Sequence, residues 1–73
     1  MNLNQLDENS EATITEFGNT LTPKVILRLE SMGITPGEKV TKLSTPLGGA
    51  EVIQVQQSVF SLDTTITQNL IIQ

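Results

Sequence analysis

The stretch Leu29-Glu30-Ser31-Met32-Gly33-Ile34-Thr35-Pro36-Gly37-Glu38-Lys39-Val40 decides the fold. Read locally, it ends a helix, turns the chain and opens a strand within twelve residues. Gly33 sits where a helix stops in the left-handed conformation that glycine adopts without steric cost. Pro36-Gly37 is a turn pair: proline presets φ at the second turn position and glycine supplies positive φ at the third. The helix that Gly33 ends starts at Thr22, a good N-cap. Pro23 follows at the first helical position, where its missing N–H costs nothing. The expected helix is Pro23–Met32. At about 100° per residue, Val25, Leu29 and Met32 share one stripe, with Ile26 at its edge. Leu27 points away from that stripe, beside Lys24, Glu30 and Ser31.

Outside this helix the residue types favour strands. Thr, Ile and Val make up 22 of 73 residues, and β-branched side chains suit a pleated, half-buried surface. Glu11–Phe17 alternates, with Ala12, Ile14 and Glu16 on one face and Thr13, Thr15 and Phe17 on the other. Glu38–Thr45 reads as a strand carrying Val40 and Leu43. Ala50–Gln56 reads as a strand with Val52, Ile53 and Val55, and a Gly-free turn at Gln56-Gln57-Ser58 leads to Val59–Leu62. Asp63-Thr64-Thr65 caps one helical turn, and Leu70–Ile72 is the last strand. Five short strands with one short helix after the first predict a mainly β chain, a small, highly curved barrel. Closure would stabilise so small a sheet and hide its edges.

Composition excludes much chemistry. Seventy-three residues suffice for one domain, 1–73, with a marginal core. There is no Cys, His, Trp or Tyr. That removes disulfides, thiolate zinc sites, a Cys nucleophile and the commonest base and metal ligand. Four Lys and Arg against eight Asp and Glu give a net charge of −4, the wrong balance for a nucleic-acid binder. The N-terminal residues show neither a basic nor an apolar run, and no stretch approaches a membrane span. The expectation is a soluble cytoplasmic domain.

The residues from Leu29 to Val40, together with Pro46-Leu47-Gly48-Gly49-Ala50, Ser61-Leu62, Asn69-Leu70-Ile71-Ile72 and the opening Leu3-x-x-Leu6, resemble the FeoA family. These are the small cytosolic partners of the bacterial ferrous-iron transporter FeoB. The resemblance implies an SH3-like barrel, a non-enzymatic part in iron transport, and transition-metal binding only by way of that role. It also implies contact with the transporter's cytosolic region, so that the membrane is met only through the transporter. Family helices are often Arg-rich before the position of Leu29; here Ile26 and Leu27 stand there. Docking is therefore expected to rest on apolar contact.

The candidate partner-binding residues are Leu27 with Ile26 and Leu21, and Leu47 in the Gly-Gly connection. Other clusters read as structure. Pro46-Leu47-Gly48-Gly49 lacks the Gly-Lys-Ser/Thr of a phosphate loop. Asp7-Glu8-Asn9-Ser10-Glu11 does not have calcium-loop spacing and reads as a solvated acidic turn. Lys24, Lys39 and Lys42 read as isolated and exposed. No catalytic residue, cofactor or metal ligand is expected. The second reading is an SH3-like interaction or self-association module that regulates another metal-homeostasis protein.

Overall fold

The computed structural model describes residues 1–45 and 49–73. A 3-10 turn at Leu3–Gln5 precedes β1 (Glu11–Phe17), α1 (Pro23–Ser31), β2 (Lys39–Ser44), β3 (Ala50–Val55), β4 (Ser58–Asp63), α2 (Thr64–Thr67) and β5 (Leu70–Ile72). The strands form one antiparallel sheet in the order β4-β3-β2-β1-β5. The expected strands and helices are all present, within one or two residues at their ends. Between β4 and β5 the curled sheet does not pair with itself. Instead α2 packs on β3, β4 and the 3-10 turn, and that turn packs on β5.

The helix-to-strand junction follows its residues closely. Thr22 Oγ1 accepts the Val25 N–H at 3.3 Å. At the other end the Ile34 N–H reaches the Leu29 carbonyl (2.9 Å), and the Gly33 N–H reaches that of Glu30 (3.1 Å), with Gly33 at φ +84°. This is the paired-bond stop that a left-handed glycine permits. It drops Ile34 and Leu29 together into the core, where both are buried. Thr35–Glu38 then closes a turn through a 3.1 Å bond, with Gly37 at φ +96°. The Gly37 N–H (2.7 Å) and Glu38 carbonyl (2.9 Å) bond Ile14, which fixes the junction to β1.

The core comprises Leu3, Ala12, Ile14, Leu29, Ile34, Val40, Ile53, Val55, Leu62, Leu70 and Ile72. Two irregularities alter the expected alternation. In β1 the pairing with β5 slips between Ile14 and Glu16. Thr15 is the extra residue, and such a bulge re-aims the side chains beyond it. Phe17, expected opposite Ile14, packs against the core instead, and Glu16 is exposed. In β2 the pairing with β3 slips between Lys42 and Ser44. Before the slip Val40 and Lys42 point inward by ordinary alternation, and Leu43 is the half-buried extra residue.

The β3–β4 hairpin pairs Val55 with Ser58 and turns through Gln56-Gln57. Gln56 takes φ +57°, a region that costs a residue with a Cβ about 1–2 kcal/mol. Its side chain gains only long, exposed contacts, such as 3.5 Å to Glu38. Gln56→Gly is expected to raise stability by about 0.5–1 kcal/mol, because glycine's greater loss of backbone entropy offsets part of the relieved strain. Urea denaturation of the two chains measures the difference.

Candidate functional site

Two places draw chemistry-bearing residues together, one inside the molecule and one on its surface. The inner one is an ion pair. Lys42 Nζ lies 2.8 Å from Glu51 Oε1, with the side chains 2% and 0% exposed. Lys42 Nζ also donates to the Asn4 carbonyl at 3.0 Å, and the Thr67 hydroxyl donates to Glu51 Oε2 at 2.5 Å. The reading of Lys42 as isolated and exposed is thus overturned. The physical reason is register: Lys42 shares the inward phase of Val40, and Glu51 that of Ile53 and Val55. Lys42 sits opposite Ile53, so Glu51 is its diagonal neighbour across the strand pair, within reach of a long side chain.

This pair is structural. Removing both charges from water costs several kcal/mol per ion, which the attraction offsets only when further hydrogen bonds satisfy both groups. Here the Asn4 carbonyl serves Lys42 and the Thr67 hydroxyl serves Glu51 Oε2, while Glu51 Oε1 is met by the Lys42 ammonium charge without a hydrogen bond. The arrangement pins the 3-10 turn, β2, β3 and α2 to one another, and it presents no reactive group to solvent. The remaining cations behave as expected on the surface. Lys39 pairs loosely with Glu11 at 3.7 Å, with both side chains largely exposed.

The surface feature is a cleft of about 260 Å³ between α1 and the end of β4, lined by Val25, Arg28, Leu29, Met32, Ser61, Leu62, Asp63 and Ile66. It is smaller than the roughly 300–1,000 Å³ typical of a small-molecule site. Leu29 anchors α1 to the core, whereas Val25, Met32 and Ile66 are only partly covered. Asp63 is already engaged as the cap of α2, accepting from the Thr65 N–H (3.0 Å) and hydroxyl (3.1 Å), as its sequence context predicts. Ile66 is held in the wall because Thr67, next to it in α2, is tied to Glu51.

The structure separates the residues expected to bind a partner. Leu27 is 68% exposed on the outer side of α1, with Ile26 half-buried beside it. Leu21 packs against the core. Leu47, with Pro46 and Gly48, lies outside the described residues. The cleft on the opposite flank of α1 was not foreseen. Its signal in the sequence is that the stripe Val25, Leu29, Met32 is wide enough to bury one residue and leave two half-covered. The acidic turn reads as structure: Glu8 accepts the Thr45 N–H at 2.7 Å. No group of three or more Asp or Glu side chains suited to holding a metal occurs among the described residues.

Lys42→Met leaves the Glu51 carboxylate buried and uncompensated, and is expected to cost about 3–5 kcal/mol. Lys42→Met combined with Glu51→Leu is expected to recover most of that loss. Equilibrium urea unfolding of both variants tests this, and recovery by the double variant separates loss of a partner from loss of packing.

No curated protein sequence matches the chain. Among solved structures, the FeoA protein of Chlorobium tepidum superposes with a TM-score of 0.90 at 22% identity, over 100% of this chain and 69% of that one. A zinc complex of FeoA from Stenotrophomonas maltophilia, described as a prokaryotic SH3 domain protein and put forward as a ferrous iron transport activating factor, superposes with a TM-score of 0.85 at 22% identity, over 100% and 89%. A manganese-dependent transcriptional repressor gives 0.84 at 14% identity, over 94% of this chain and 38% of that one. These likenesses establish the SH3-like fold. The FeoA domain family matches residues 1–73, from the opening 3-10 turn to the last strand, and the chain belongs to the FeoA family.

Proposed function

We propose that this chain is a non-enzymatic, cytoplasmic accessory protein of ferrous iron uptake, which acts by docking on the cytosolic region of a FeoB-type transporter. The family links the chain to ferrous iron transport. The observation that carries the docking reading is the state of α1. One of its residues, Leu29, is buried, while Leu27 is 68% exposed and Val25, Ile26 and Met32 are half-covered. A lone exposed leucine is ordinary; a helix with uncovered apolar side chains on both flanks is a contact element. Among the described residues no helix is long and apolar enough to cross a membrane. GTP chemistry and the iron pathway belong to the partner.

The second reading, a module that regulates another metal-homeostasis protein or itself, is favoured by one finding. The same fold recurs as 38% of a manganese-dependent repressor. In that reading the chain's surface meets a regulator instead of a transporter.

The docking reading expects the purified chain to bind the transporter's cytosolic region saturably in calorimetry. Leu27→Asp is expected to weaken that binding about tenfold, the size of about 1.4 kcal/mol, at an unchanged melting temperature. Deleting the gene is expected to lower ferrous iron uptake, restored by the intact chain. Normal uptake without the protein overturns the reading, and full affinity in the Leu27 variant removes Leu27 from the contact.

A further inference from the structure

The two edges of the sheet are treated differently. The outer edge of β5 is closed by the N-terminus: Asn2 bridges Ile71, and the Met1 carbonyl accepts the Ile72 N–H at 2.9 Å. Among the described residues no segment pairs with the outer edge of β4. Thr64 donates to the Gly49 carbonyl at 3.0 Å, and the register runs on through Glu51–Leu62, Ile53–Phe60 and Val55–Ser58. In an antiparallel ladder, bonded and non-bonded pairs alternate. Leu62, Phe60 and Ser58 therefore spend their backbone groups on β3, and Val59 and Ser61 aim theirs outward, as does the Asp63 N–H. Val59, Ser61 and Asp63 are all exposed. β4 carries no proline, lysine or arginine and no bulge in its pairing, devices that keep a free edge from pairing; its one charge, Asp63 at the end, is turned to the cap of α2.

This open edge is also one wall of the α1 cleft, since Ser61 and Asp63 face Val25, Arg28 and Met32 across it. We propose that the cleft receives an extended segment of the transporter's cytosolic region, which adds as a sixth strand to β4 and seats alternate apolar side chains between α1 and α2. The proposal rests on the docking reading above and names its mode. Strand addition between an edge and a helix takes affinity from main-chain bonds and specificity from alternate side chains.

The chemistry of the occupant follows from the walls. Val25, Met32 and Ile66 call for aliphatic side chains at every second position. Arg28 lines the cleft with no carboxylate of the described residues at ion-pair distance; it calls for an acidic residue in the incoming strand. A second copy of this chain fits less well. Each copy carries a net charge of −4, so two copies repel where an acidic strand would find Arg28.

Hydrogen exchange by NMR on the full chain, with and without the transporter's cytosolic region, tests this. On binding, the amides of Val59, Ser61 and Asp63 are expected to slow at least about tenfold, while those of Ser58, Phe60 and Leu62 start protected. Ser61→Pro removes an outward N–H without touching the β3 ladder, and is expected to weaken binding about tenfold or more. Arg28→Glu, a surface change that spares the edge, is expected to weaken it as well. Binding with unchanged exchange at the three amides overturns strand addition and leaves the docking reading standing. Absence of binding by the unaltered chain overturns both. Protection of these amides that grows with the chain's own concentration, without the transporter, overturns the choice of occupant in favour of a second copy.

Discussion

The constraint to which the rest of the fold is fitted is that Lys42 and Glu51, both buried, must meet. A small chain cannot bury much apolar surface, so its strand registers are weakly held by hydrophobic area alone. Moving β2 by one residue against β3 would turn every inward side chain outward. It would also pull Lys42 away from Glu51 and leave charge stranded in the core. The ion pair thus makes one register tolerable and its neighbours costly. This matters most at β2, where the slip after Lys42 puts an extra residue, Leu43, into the strand. The same two side chains reach past the sheet, to the Asn4 carbonyl and the Thr67 hydroxyl. They hold the 3-10 turn and α2 across the seam where β4 and β5 do not meet.

That seam explains how a curled sheet of five short strands does without full closure. Strand pairing between β4 and β5 would satisfy both edges at once. Here the closing elements are short helical turns anchored by polar contacts, reinforced where Gly18 meets Asn69. The Gly18 N–H bonds the Asn69 carbonyl at 2.6 Å, and a Cβ on Gly18 would stand 2.5 Å from Asn69 Oδ1. The end of β1 is thereby drawn against the residues after α2. The cost of this solution is an unpaired edge on β4, and the benefit is a cleft between that edge and α1.

The sequence was legible wherever the backbone itself dictates the outcome. Thr22-Pro23 starts α1, Gly33 stops it, Pro36-Gly37 turns the chain and Asp63 caps α2, because each choice is settled within four residues. It was less legible where a distant strand decides. The alternation of Glu11–Phe17 places Phe17 away from Ile14, and only the slip against β5 at Thr15 returns it to the core. The burial of Lys42 is hidden for a related reason: a lysine flanked by Thr41 and Leu43 carries no local sign of burial. The sign was non-local, an opposite charge in the apolar phase of the next strand. The residues expected to dock show the same division. The outward position of Leu27 follows from helical geometry, whereas the cleft on the other flank exists only because β4 and α2 arrive there. Leu21, near in sequence to Ile26, is claimed by the core.

The position of α1 connects these points to function. Its conformation is fixed at both ends by local chemistry, by Thr22 at the start and by the bonds of Gly33 and Ile34 at the stop. Val25 and Met32 pack against the core from its flank, and of its own residues Leu29 alone is deeply buried. A helix ordered in this way offers Val25, Met32 and Leu27 to a partner with little further loss of conformational freedom, and ordering cost is the term that most often erodes affinity. In a chain with few charges and a net charge of −4, the proposed docking draws more on this pre-ordered apolar surface than on any electrostatic field.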